Sequence, residues 1–215
     1  MRSISRFVLG LSLVTLGTLV VTDAAWAKKS STVTYKEIEN TGISQFDEVF
    51  GKAKAIQDTL AAQETTLTTA RTNANTALGV AAAGDLGDAI AALSNAAGGK
   101  LGMEMKGTTP HLTVASGADA TVTKGADGVN GLIDAGAATV TTVTALVPQV
   151  TELVTACKEF PATLKTLGLD AATLLKATPI VAKDVAAVGQ TPARITALTD
   201  AVTAIYTDVT DAFKK

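Results

Sequence analysis

One histidine, one cysteine and three loose groups of aspartates are the residues of this 215-residue chain best placed to do chemistry. His111 follows Pro110. As a general base it would need an oriented nucleophile or carboxylate within hydrogen-bond reach. Its nearest acids in sequence, Glu104 and Asp119, sit in no catalytic motif, so it reads as an exposed loop histidine. Cys157 falls on an apolar helical position and reads as a small buried hydrophobe. In an oxidising compartment its alternative use is a disulfide between molecules. Asp85/Asp88, Asp119/Asp127/Asp134 and Asp208/Asp211 match no calcium-loop spacing, and Asp85/Asp88 is more simply a helix start.

The remaining chemical signatures are missing from the sequence. It contains no nucleophile elbow, phosphate-binding loop, dinucleotide fingerprint or glycosylation sequon. A single cysteine excludes a disulfide framework and a cysteine-based zinc site. Charge is balanced, at a formal net of −2, and basic residues cluster only at Lys28/Lys29 and Lys214/Lys215, which argues against nucleic acid. With 47% hydrophobic residues the chain is too apolar to be disordered. The expectation is therefore a folded protein that is not an enzyme and takes no cofactor or metal.

The N-terminus reads as an address. Arg2 and Arg6 precede an uncharged, mostly apolar run over 7–21, and Ala25-Trp26-Ala27 places small residues where a signal peptidase reads them. This predicts cleavage after Ala27, with Lys28 the first mature residue. The apolar run is short for a membrane span, and a lipoprotein route would need a cysteine at the cleavage point, whereas the only cysteine is Cys157. The domain reading is a signal peptide over 1–27, an extended polar lead-in over 28–42, and one helical domain over 43–215.

The elements that must position these residues follow a helical rhythm. Ser44 reads as an N-cap, with Asp47 three residues on. From there Phe46, Val49, Ala53, Ile56, Leu60, Gln63, Leu67, Ala70, Ala74, Ala77 and Ala81 recur in steps of three and four, predicting a helix from 43 to about 82. Twelve of the 18 glycines then fall between Gly79 and Gly136. A short helix over 85–97 survives in that stretch. Residues 98–128 read as a Gly-rich loop or small β-tongue, with Leu112/Val114 and Ala120/Val122 as the alternating pieces of a hairpin. From Val129 two heptad series return, Val129/Gly136/Val143/Val150/Cys157/Leu164 and Leu132/Thr139/Leu146/Leu153/Phe160/Leu167, followed by Ile195, Leu198, Val202, Ile205, Val209 and Ala212. Asp170 and Thr191 are N-cap expectations, with Pro192 at a first helical position. Prolines 148/179 and 161/192 share an offset of 31, which suggests a degenerate two-copy helical repeat. Thirty-four threonines argue for strands, but the apolar period of 3.5 outweighs a propensity cost of a few tenths of a kcal/mol each.

The fold expectation is thus all-α: an elongated antiparallel helical bundle with a glycine-rich insertion. The functional expectation is an exported protein of the periplasm or cell envelope, acting by protein–protein interaction or self-assembly. Phe46, Val49, Ile56 and Leu60 on the first helix, and Ile195, Leu198, Val202 and Ile205 on the last, are the contact candidates; the competing use of such a stripe is the protein's own core. A rival expectation is membrane activity, because residues 135–151 carry no charge. In arrangement only, long helices flanking a poorly charged centre resemble the α-helical pore-forming toxins, although no motif of that group is present.

Overall fold

The structure, a computed structural model, describes residues 36–81 and 84–214; the expected signal peptide and its cleavage residues Ala25, Ala27 and Lys28 lie outside them. The chain is mostly helical, with a small two-stranded sheet. Its elements are α1 (Ser44–Ala77), α2 (Leu86–Ala96), β1 (Leu101–Lys106), β2 (Thr109–Val114), α3 (Ala120–Thr166) and α4 (Ala171–Ala212).

Helix α1 begins where expected, but Ser44 does not cap it. Ile43 occupies the N-cap position without a side-chain bond. Asp47 instead reaches back outside the helix and accepts from the Thr41 amide and hydroxyl, both at 2.7 Å, tying the lead-in to the first turn. The helix ends short of 82, because Gly79 takes φ +74° and closes a Schellman turn. There the Val80 amide donates to the Asn75 carbonyl at 3.0 Å, and Gly79 to Thr76 at 3.1 Å. Ala81 therefore is not part of the helical seam.

The three long helices pack along their lengths. Phe46 stacks on Phe160 at 4.5 Å between ring centroids and Phe50 meets the same ring edge-on at 5.4 Å, placing the start of α1 beside the end of α3. At the other end Gly128 faces Ala74 and Ala77, so these two helices run antiparallel. Gly136 of α3 faces Val202 and Tyr206 of α4, which makes that pair antiparallel too. In α3 the heptad series is buried almost throughout, with Leu146 and Leu167 half-buried.

Helix α4 departs from expectation in being single. Thr191 does not start a helix and Pro192 is not a first position; Pro179 and Pro192 both lie inside α4, as Pro148 and Pro161 lie inside α3. Interior proline removes one backbone hydrogen bond and crowds the preceding turn. All four prolines are exposed; Pro148 and Pro179 release the carbonyls of exposed Thr144 and Leu175, whereas Pro161 and Pro192 release those of buried Cys157 and Val188. Packing decides the matter. Ala177, Val181, Asp184, Val188, Thr191, Ile195, Leu198, Val202, Ile205, Val209 and Ala212 are all buried, stepping by four and three without a slip through both prolines. A break at 191 would rotate everything beyond it off that stripe.

Threonine is accommodated without strands. Exposed Thr59, Thr141 and Thr203 donate to the carbonyls of Ala55, Ala137 and Thr199 at 2.9–3.0 Å, a pattern repeated along α1, α3 and α4.

The expected hairpin exists with a different partner. Leu112 and Val114 pair with Met103 and Leu101, while Ala120 and Val122 already belong to α3. The irregular middle is correspondingly shorter than 98–128, since Asp119 caps α3 by accepting from the Thr121 amide. Glycines 125, 128 and 136 serve close helix approach instead of loop geometry. A Cβ on Gly128 would lie 2.5 Å from the Ala77 Cβ and 3.4 Å from the Ala74 Cα. Gly128→Leu should therefore destabilise the fold by about 1–3 kcal/mol through overpacking. Chemical denaturation of this variant beside Gly131→Ala, which meets open space, checks the contrast: equal stabilities would contradict the packing.

Candidate functional site

The groups with chemical capability lie mainly between the helices, and the strongest of them form a polar layer at mid-length. Arg194 on α4 is 6% exposed. Its guanidinium forks onto Glu64 of α1, Nε to Oε1 at 2.6 Å and Nη2 to Oε2 at 2.7 Å, while Nη1 donates to the Gln57 carbonyl at 3.1 Å. Gln57 in turn donates from Nε2 to the Ala187 carbonyl at 3.3 Å. Beside them the Thr139 hydroxyl of α3 donates to Gln63 Oε1 at 3.0 Å. All three long helices are thus joined at one level by directional bonds. A two-point arginine–carboxylate pair is among the stronger hydrogen-bonded arrangements. Its net contribution to stability is small, because both charges leave water. Separating the pair leaves a buried charge unmatched, at a cost of several kcal/mol. The layer therefore fixes the axial register of α1 against α4.

A second polar contact ties down the chain preceding α1. Asp184, fully buried, receives the Glu39 amide on its two carboxylate oxygens at 3.1 and 3.2 Å. Lys183 pairs with the Glu39 side chain at the same place. Burial pushes the Asp184 carboxyl above its ordinary range, against the lowering effects of the Glu39 amide and Lys183. Cys157 is buried in the same neighbourhood. Burial, and then the Asp184 carboxylate, push its thiol up to about 11. A thiol so disfavoured as thiolate is a poor nucleophile, and at 1% exposure it cannot bridge to another molecule without the helices opening.

The hairpin carries the histidine. Gly107 takes φ +66° at the first position of a two-residue turn and Thr108 does not share it, as in a type II′ turn. Leu101, Met103, Pro110 and Leu112 face the helices. Gly102, Glu104, Lys106, His111 and Thr113 form the outer face, while the Thr109 side chain bonds Tyr206 of α4. His111 is not in a loop: it stands half-buried on β2, directly across from Glu104, with Nδ1 at 3.2 Å from the Leu112 carbonyl. Asn130 of α3 clamps the strand, its Oδ1 accepting from the Leu112 amide at 2.8 Å and its Nδ2 donating to the Leu112 carbonyl at 3.0 Å. A side-chain amide thereby replaces a third strand on that edge.

The eight seam residues proposed as contacts are placed differently from a docking surface. Phe46, Ile56, Leu60, Ile195, Leu198, Val202 and Ile205 are buried in the chain's own core and Val49 is half-buried against it. Each faces a neighbouring helix because the three long helices leave no seam uncovered. The large apolar side chains that are exposed are Met105 (52%), Val147 (45%) and Leu175 (79%). A shallow dimple lined by Ala53, Ile56, Val150, Leu153, Val188 and Thr191 has no room for a water molecule, unlike sites that enclose small-molecule ligands. Asp85, Asp119 and Asp170 are spent as helix caps. Among the described residues no three histidine, cysteine, aspartate or glutamate side chains are grouped to hold a metal ion.

Sequence reasoning passed over Arg194, Glu64, Asp184 and Asn130. The signal for one of them was present: extending the Ile195–Ala212 series backwards by the same steps lands, after Thr191 and Val188, on Asp184. Gln63, the one polar member of the first seam, likewise marked the level of the polar layer.

Asp184 yields a pH signature. A carboxyl whose folded pKa is raised holds its proton more tightly in the native state, so its contribution favours folding at low pH and is lost as pH climbs through the raised value. Asp184→Asn keeps an acceptor for the Glu39 amide. Relative to wild type, its unfolding midpoint should improve as pH rises from the ordinary carboxyl value, about 4, through the raised one, in parallel urea titrations. A difference that stays constant or shrinks over that range would contradict the assignment.

Comparison with protein-family models, with curated proteins and with solved structures finds no match for this chain.

Proposed function

We propose that the chain is an exported, non-enzymatic helical-bundle protein of the periplasm or cell envelope that acts through its surface, by binding a protein partner or by self-assembly. The observation that carries this reading is the division of labour between inside and outside. The arginine–carboxylate fork, the buried aspartate and the cysteine all lie between helices. The outward face of α3 between Asp134 and Glu152 is uncharged and exposes Ala138, Thr141, Thr144, Ala145, Val147 and Pro148. Docking on such a face desolvates no charge, the most expensive part of burying a surface. The eight seam residues are not the contacts in this reading; they hold the scaffold that displays the outer face.

Membrane activity is the second reading, favoured by one observation. Helix α3 is long and apolar enough, by length and composition, to cross a bilayer, and less than a third of its most apolar window is buried. Thr141 and Thr142 of that helix donate to their own backbone, which lowers the cost of placing hydroxyls in lipid.

Protein recovered after export from cells expressing the full chain separates these readings. Mass spectrometry is expected to find Lys28 at its N-terminus. Light scattering and affinity capture are expected to show oligomers or a defined protein partner, and flotation with anionic and neutral vesicles is expected to leave the protein at the bottom of the gradient. Flotation with vesicle leakage would replace the first reading with the second. An intact Met1 in exported-fraction controls would remove the export claim.

A further inference from the structure

We propose that residues 36–40 form a hinged strap over α1 and α4, which opens upstream of Thr41 while the helices stay folded, and that this opening exposes the buried Asp184 carboxyl and so answers to pH.

Little holds the strap down. Its residues form no helix or strand. Among the described residues, the Glu39 amide is the one backbone donor of 36–40 that reaches α4, resting on the two Asp184 oxygens at 3.1 and 3.2 Å. The Glu39 side chain pairs with Lys183, but both groups are part-exposed, and such a pair contributes little. Glu37 lies within electrostatic reach of Lys54 on α1 and of Lys183 on α4, which places the strap over the seam between those helices. Ile38 is its one apolar anchor, half-buried against the core. Thr41 is held differently. It is buried, and its amide and hydroxyl both bond Asp47 of α1 at 2.7 Å. Few buried contacts upstream and a firm clamp downstream set the pivot between Asn40 and Thr41.

The strap is one chain thick where it covers Asp184. That carboxyl is fully buried, yet Glu37, Glu39 and Asn40 are exposed, so water takes the place of the Glu39 amide when the strap lifts. The ionisable groups facing the carboxyl are Glu39 on the strap, Asp47 at the start of α1, Cys157 on α3 and Lys183 on α4. Closing the strap takes the carboxyl out of water, which costs more for the carboxylate than for the neutral acid. The Glu39 amide and Lys183 favour the charged form, but burial outweighs them, and the Glu39 and Asp47 carboxylates add to burial. The closed state therefore holds the proton more tightly than the open one. The Asp184 contribution to closure is full below the ordinary carboxyl value and is lost as pH rises through the raised one.

Amide hydrogen exchange in the whole protein, read residue by residue and corrected for the intrinsic pH dependence of exchange, tests this. The Glu39 amide is expected to exchange through a local opening, faster than Thr41 and much faster than residues 198–205. Its protection should fall several-fold as pH rises from about 4 towards neutrality. Asp184→Asn keeps an acceptor for the Glu39 amide and leaves the Glu39–Lys183 pair in place, so its Glu39 protection should stay level or rise over the same range. In wild type, the midpoint of the fall should coincide with titration of the Asp184 carboxyl followed by carbon NMR, a comparison that needs no variant. Glu39 protection equal to that of residues 198–205 would overturn the strap as a separately opening unit. Protection that is flat or rises with pH in wild type, that falls equally in Asp184→Asn, or whose midpoint departs from the Asp184 titration would overturn the coupling.

Discussion

The structure depends on one constraint: the buried stripe of each long helix must keep its phase from end to end, because the other long helices, with α2 and the hairpin at one end, cover it along its length. Helix α4 makes the constraint visible. Its stripe runs from Ala177 to Ala212 through two prolines, a threonine, an aspartate and past a buried arginine. Each of these residues is unfavourable locally. Proline in a helix interior costs about 3 kcal/mol relative to alanine, and a buried carboxylate costs more than that unless bonded. Against them stand Val181, Val188, Ile195, Leu198, Val202, Ile205 and Val209, each contributing about 1.5–3 kcal/mol by leaving water. A break in phase would forfeit several of these at once, so the local penalties are absorbed.

Apolar packing alone leaves the axial register loosely defined. The stripes are rich in alanine, valine and leucine, and a stripe of similar side chains tolerates sliding by one heptad. Directional bonds remove that freedom. The Arg194–Glu64 fork fixes α4 against α1, Thr139–Gln63 fixes α3 against α1, and Asp184 fixes the chain before α1 against α4. The glycines add a steric limit where helices come closest, at Gly128 against Ala77 and Gly136 against Val202. The function proposed follows from this economy: groups that elsewhere would do chemistry are occupied with holding three helices in register, and what faces outward is a surface.

Much of the helical order was legible in the sequence. The α3 series, apart from half-buried Leu146 and Leu167, and the terminal α4 series are buried as their period predicts, and Asp170 caps α4 through the Ala172 and Thr173 amides as its type predicts. The failures share a cause: local signals were given weight where tertiary packing decides. Thr191-Pro192 is a good helix start in isolation, but covering the stripe on both sides of it overrides the signal. Glycines 125 and 128 suggested loop because glycine weakens a helix, whereas here their lack of a side chain lets α3 approach its neighbours. The hairpin's partner strand was missed because Leu101–Lys106 alternates weakly, with Gly102 and Glu104 on its outer face. The candidate contacts could not be told from core by periodicity, since the same stripe serves either use and only the number of helices available to cover it distinguishes them.

The most direct test of phase continuity is amide hydrogen exchange across Pro192. The account predicts that the amides of residues 189–191 and 193–196 exchange slowly, with protection comparable to residues 198–205, as one helix covered along its length requires. Exchange near random-coil rates over 190–194, flanked by protected segments on either side, would mean two separate helices meeting at Thr191 and would contradict the account.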